Sequence, residues 1–185
     1  CCLEGIRGEA RWSDHMNVPP IPFKGFDKIP RLNREVVLTE KIDGTNALVY
    51  IAEDDQIYAG SRTKWITPQD DNFGFARWVE ANKEELRKLG FGMHHGEWWG
   101  AGIQRKYGLD HKRLSLFNVD RFAGGLPEGM PENVALVPIL YQGPVESSAI
   151  QMVIDNLYAS GSRACQGWTK PEGVVITIGG QRFKV

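Results

Sequence analysis

At 185 residues with 42% hydrophobic side chains, the chain is long enough to bury one sizeable core and too short to divide into two domains of ordinary size. Its 22 basic and 23 acidic side chains leave a formal net charge of −1, so no overall field holds a polyanion and any nucleic-acid contact must come from a local basic surface. Three cysteines, Cys1, Cys2 and Cys165, make neither a disulfide framework nor a CxxC metal site, and runs such as Ala135 to Tyr141 are far too short to cross a bilayer, so a reducing, cytoplasmic setting is expected.

Met16 directly precedes Asn17-Val18-Pro19-Pro20-Ile21-Pro22, which points to residues 1–15 as a non-native or poorly ordered leader and to 16–185 as one domain. The fold class expected is α+β, with antiparallel sheets flanked by helices. Glu35 to Glu40 and Ala47 to Ala52 are rich in Val, Leu, Ile and Tyr and read as strands, separated by the turn-forming Lys41-Ile42-Asp43-Gly44-Thr45-Asn46. From Phe73 to Leu89 the residues Phe75, Trp78, Val79, Leu86 and Leu89 recur at helical spacing, with Gly90 as the stop. Phe91 to Trp99, Leu114 to Val119 and Ala135 to Leu140 read as strands, Ser147 to Tyr158 as a helix with Ile150, Val153, Ile154 and Leu157 on one face, and Val174 to Ile178 as a last strand.

Lys41 carries the chemistry. A lysine at a strand end, followed by Asp43-Gly44, is presented on a tight loop in which Gly44 is expected to take backbone angles closed to a substituted residue. Its amine, once it loses a proton, is a nucleophile. Standing alone, Lys-x-Asp-Gly is equally consistent with a solvent-exposed hairpin.

A series of short motifs along the chain changes that balance. Lys41 to Asn46, Ser61-Arg62, Gly96-Glu97-Trp98-Trp99-Gly100, Leu116-Phe117-Asn118-Val119, Glu172-Gly173-Val174-Val175 and Arg182-Phe183-Lys184 resemble the successive motifs of the covalent nucleotidyltransferases, which include DNA ligases, RNA ligases and mRNA-capping enzymes. With Glu40 before it and Asn46 closing it, the first motif is most similar to the ATP-dependent RNA ligase 2 group.

The resemblance implies a nucleotide pocket between the sheets, with Lys41 attacking the α-phosphate of ATP to give lysyl-AMP. The adenylate then passes to the 5′-phosphate of an RNA end, before 3′-5′ phosphodiester formation with a 3′-hydroxyl, in a nicked duplex among other settings. It also implies a magnesium or manganese cofactor and a role in RNA repair, and a phage protein acting in its host's cytoplasm would fit; separately, a monomer with no membrane partner is expected, the apolar runs being too short to cross a bilayer. Lys184 would neutralise charge on the phosphate oxygens and Glu172 would engage the metal. Glu40, Ile42, Asn46, Arg62, Glu97 and Phe117 would contact the nucleotide: Glu97 at the ribose hydroxyls, Phe117 stacked on adenine, Glu40 facing the base amino group.

Trp98 and Trp99 are expected in packing, and His94 and His95 receive no role. The basic cluster Arg105, Lys106, Lys112 and Arg113, with Arg62, is a candidate strand-binding surface and equally a solvated loop. The second lysine usual two residues beyond the position of Lys184, and the C-terminal domain common in such enzymes, have no counterpart here, which favours self-adenylation over complete sealing. A DNA ligase, a capping guanylyltransferase and a non-catalytic end-binding module are the rival readings. Deleting residues 1–15 is expected to leave folding and activity intact, as thermal melting and nucleotide labelling of the shortened chain would report.

Overall fold

The computed structural model describes residues 35–185; the expectation for residues 1–15 lies outside them, as do residues 16–34 of the expected domain. Two sheets organise the described chain. Strands β1 (Glu35–Lys41), β8 (Ile139–Pro144), β9 (Gly173–Ile178) and β10 (Gln181–Lys184) form a four-stranded sheet in the order β10-β9-β1-β8. Strands β2 (Thr45–Ile51), β3 (Ile57–Gly60), β4 (Trp65–Ile66), β5 (Gly92–Gly100), β6 (Lys112–Leu116) and β7 (Val134–Leu136) form a six-stranded sheet in the order β4-β3-β2-β5-β6-β7. Every pairing is antiparallel except β6 with β7, which is parallel.

Alternation in β2 sends Ala47, Val49 and Ile51 into the larger core, where they meet Phe75, Ala76 and Val79 of helix α1 (Phe75–Ala81). Asp71 starts α1 by accepting the Ala76 N–H at 2.8 Å. The single helix expected from Phe73 to Leu89 is broken. Asn82 takes non-helical angles and its amide bonds back to the Trp78 carbonyl at 2.7 Å, a side-chain competition that divides the run into α1, α2 (Lys83–Leu86) and a 3-10 turn at Arg87–Leu89. Helix α3 (Ser147–Ser160) lays Val153 and Leu157 on Val36, Leu38, Val174 and Ile176 of the smaller sheet. No helix among the described residues is long and apolar enough to cross a membrane.

The chain crosses between the sheets at two places, one expected as a turn between neighbouring strands and one as a continuous strand. Lys41 ends β1 in one sheet and Thr45 opens β2 in the other, so the Lys-x-Asp-Gly segment is no hairpin. The run expected from Ala135 to Leu140 is likewise divided: Pro138 has no N–H to give a ladder, β7 stops before it in the large sheet, and β8 begins after it in the small one. Between the crossings a third cluster, Ile42, Trp99, Tyr107, Val119, Val137 and Cys165, ties the sheets together. Leu38 is fully buried in the smaller core; Leu38→Ala should cost about 2–5 kcal/mol of stability, read as a lowered urea midpoint at unchanged slope.

Candidate active site

The cleft beside the Lys41 crossing has a volume of about 540 Å³, within the range of nucleotide-sized ligand sites. The small sheet lines one wall through Thr39, Val175 and Thr177, and the large sheet supplies Asn46 and Glu97. Of the residues singled out in the sequence, Glu40, Lys41, Ile42, Asn46, Arg62, Glu97, Phe117, Glu172 and Lys184 all border it.

Lys41 Nζ donates to Glu172 Oε1 across the β1–β9 ladder, where Lys41 stands opposite Gly173. Glu172 Oε2 is buried and has no partner among the described residues. One carboxylate is thus shared between the amine and whatever else the cleft admits. No group of three or more His, Cys, Asp or Glu side chains among the described residues forms a metal cage. A single free carboxylate oxygen suits a hard divalent ion that takes its remaining ligands from phosphates and water.

The loop after Lys41 is held from both sides. Tyr107 Oη accepts the Asp43 N–H at 2.8 Å, and Glu97 Oε1 accepts the Gly44 N–H at 3.1 Å. The Asp43 carboxylate is paired with Arg105 at 2.9 Å. Gly44 does not adopt a positive φ, which corrects the conformational reason expected for it. The demand is steric: a Cβ there would lie 2.5 Å from the Trp98 carbonyl oxygen and 2.7 Å from the Trp99 Cβ. Tyr107 reaches its place through left-handed angles at Lys106 and at itself, φ 61° and 51°, strain that the buried ring packed on Trp99 offsets. Burial pushes the Tyr107 hydroxyl up to about 12, so it stays protonated.

Glu97 is 8% exposed and also accepts from Asn46 Nδ2 at 3.2 Å. Burial pushes its carboxyl up to about 7, against hydrogen bonds from Asn46 and Gly44 that pull it down. Glu40 is 1% exposed; its Oε2 accepts the amides of Arg163 and Ala164 at 2.7 and 2.9 Å, while its Oε1 is buried without a partner among the described residues. Ile42 borders the cleft but is mostly buried against Trp99 and Tyr107. Phe117 lies just past the end of β6, half-buried, and Arg62 and Lys184 are exposed at the rim.

Two members of the basic cluster make contacts within the protein. Arg105 is committed to Asp43 and to the Lys170 carbonyl, and Arg113 donates to the Ala164 carbonyl and lies over the Trp99 ring. Both guanidiniums brace the site from behind; Lys106 is exposed and Lys112 half-buried. Trp98 and Trp99 are packing residues, each with its indole N–H satisfied. Tyr107, Asp120, Arg182 and the Arg163–Ala164 amides were given no role. Only Arg182 carried a usable signal, since it stands two residues before Lys184 on a strand and so shares its face.

Because the Glu97 pKa is raised on folding, its stability contribution is complete below about 4.5 and is lost as pH rises through about 7. Glu97→Gln should therefore shrink the fall in urea midpoint between pH 5 and pH 8; a fall as large as the parent's would show that Glu97 is not its source.

A family model described as RNA ligase matches residues 34–185. No curated protein matches the chain. Among solved structures, Naegleria gruberi RNA ligase with PPi aligns at 23% identity and a TM-score of 0.57, covering 83% of this chain and 49% of that one. A variant of the same ligase with ATP and Mn aligns at 22% and 0.57, covering 83% and 50%. Another, with AMP and Mn, aligns at 22% and 0.57, covering 90% and 56%. At such identity the likeness shows the fold, and this chain spans about half the length of those structures. Family membership comes from the model match, which runs through both sheet crossings and every residue that borders the cleft: the chain belongs to the RNA ligase family.

Proposed function

We propose that the chain is the adenylation unit of an ATP-dependent RNA ligase, with Lys41 as the nucleophile. The observation that carries this is the placement of one lysine at a sheet crossing, against a carboxylate with a free oxygen, in a nucleotide-sized cleft that Lys184 and Arg62 also border. Lys41 Nζ, relieved of its proton, forms a bond to the α-phosphorus of ATP as the bond to pyrophosphate breaks. The adenylate then passes to the 5′-phosphate of an RNA, for joining to a 3′-hydroxyl.

Lys184 and Arg62 are the cations available to the phosphate oxygens, where preorganised charge lowers the barrier most. Glu97 and Asn46 stand together at the wall as ribose partners, and Phe117 offers a face to the base. A magnesium or manganese ion on Glu172 would supply further neutralisation of the phosphates. Glu172 now holds the Lys41 ammonium, so an ion that took over that carboxylate would also release the amine and disfavour its protonated form.

Glu40 supports adenine. Its unpartnered oxygen rewards a ligand amino group and repels the carbonyl that guanine presents at the corresponding position. Incubation with divalent metal and α-labelled ATP should give a covalent adduct stable to denaturing electrophoresis and absent from Lys41→Ala. GTP should label at least tenfold less, and Glu40→Gln, which keeps an acceptor for the two amides and turns a donor to the base, should narrow that gap. A parent that binds RNA ends but never labels would instead be an end-binding module, and one labelled by GTP a capping-type enzyme. In the adenylated parent, nick sealing with RNA but not DNA 3′-hydroxyl strands would separate RNA from DNA ligation.

A further inference from the structure

Strand β2 has two faces. Ala47, Val49 and Ile51 enter the core, while Asn46, Leu48 and Tyr50 look to the other side, the side on which Asn46 meets Glu97. Ladder partners share a face, so Tyr58 and Met93, both opposite Tyr50, lie on that side as well. Trp65, opposite Gly60, completes a group of three mutually packed rings: Tyr50–Tyr58 centroids are 6.0 Å apart, Tyr50–Trp65 5.8 Å and Tyr58–Trp65 6.1 Å.

None of these rings belongs to a core cluster. Tyr58, Trp65 and Met93 are about half exposed, at 49%, 52% and 51%. The group lies on the same strand and face as Asn46, with the buried Leu48 between them. Tyr50 stands four positions beyond Asn46, about 13 Å at strand rise, which is the length of about four stacked nucleotides. The β3–β4 connection runs between the two places and carries Arg62, at the cleft rim, and Lys64, paired at the surface with Asp70. Beyond the rings the β2–β3 turn is Glu53-Asp54-Asp55, an acidic end that would turn a polyanion away.

We infer that this face is a stacking platform for the RNA strand whose 5′-phosphate enters the cleft, with Tyr58 and Trp65 taking bases about three to five nucleotides from that end. This rests on the proposed adenylate transfer, which requires such a strand to leave the cleft over some surface. Aromatic faces accept any base, so the platform adds affinity and position without reading sequence. Rings beside cations, ending at an acidic turn, match a single strand better than they match a protein surface.

The test uses the full chain and a 5′-phosphorylated 12-nucleotide RNA carrying 4-thiouridine at successive positions. Irradiation should attach nucleotides three to five to Tyr58 or Trp65. Trp65→Ala should weaken binding by anisotropy about tenfold, the low part of the range for loss of one base-stacking ring, and Trp65→Phe should restore most of it. Tyr58→Ser, at a half-exposed ring, is the second variant should Trp65→Ala fold poorly. The salt dependence of binding should be unchanged, because no phosphate contact is removed. Lysyl-AMP formation without RNA should be unaffected in every variant, so loss of labelling in the parent would strike the adenylation reading and leave the cross-links to judge the platform. Unaltered RNA affinity in both variants, or adducts mapping elsewhere, overturns the platform. So does a concentration-dependent dimer that Trp65→Ala abolishes while RNA affinity is kept, which would make the face a contact between copies.

Discussion

The arrangement of the cleft depends on a steric limit at Gly44. The chain passes from the small sheet to the large one within the few residues after Lys41, and Gly44 slides over the Trp98 carbonyl at a distance that leaves no room for a side chain. With that passage closed down to backbone, the N–H groups of Asp43 and Gly44 find Tyr107 and Glu97, and the direction of Lys41 is set by β1 on one side and the pinned loop on the other. A looser crossing would leave the amine on a mobile link, where orientation is worth little.

Charge is arranged in the cleft as a balance between burial and partners. Glu97 accepts two hydrogen bonds and is still held toward its neutral form, because burial outweighs them. Glu40 and Glu172 each commit one oxygen to the protein and leave the other without a partner among the described residues. An orphaned buried acceptor costs stability in the empty protein and is recovered when a ligand supplies the donor or cation. Two such oxygens border one cleft, Oε2 of Glu172, whose other oxygen accepts from Lys41, and Oε1 of Glu40, whose other oxygen accepts the 163–164 amides.

Cations are divided by role. Arg105 and Arg113 bind carboxylate, carbonyls and the Trp99 ring from behind the loop, while Arg62, Arg182 and Lys184 border the open side. A guanidinium offers five donors in a rigid fork and serves well as a brace between segments distant in sequence. Two guanidiniums of the basic cluster therefore also serve as braces within the fold.

Much was legible in advance where the signal is local. The strand patterns of β1, β2, β5 and β9, helix α3, the packing roles of Trp98 and Trp99, and the order of the short motifs could all be read from neighbouring residues, as could the family resemblance that the model match over residues 34–185 bears out. Tertiary structure alone decided which sheet each strand joins, because the breaks after Lys41 and at Pro138 are changes of partner and not of local propensity. It decided that Asn82 divides a helix, that Gly44 is required for clearance and not for its φ, and that Tyr107 and the Arg163–Ala164 amides serve the cleft. The Asn82 bond reaches back only four residues, but the contacts of Gly44, Tyr107 and the 163–164 amides join residues tens of positions or more apart, and no periodicity or spacing within either segment records the other.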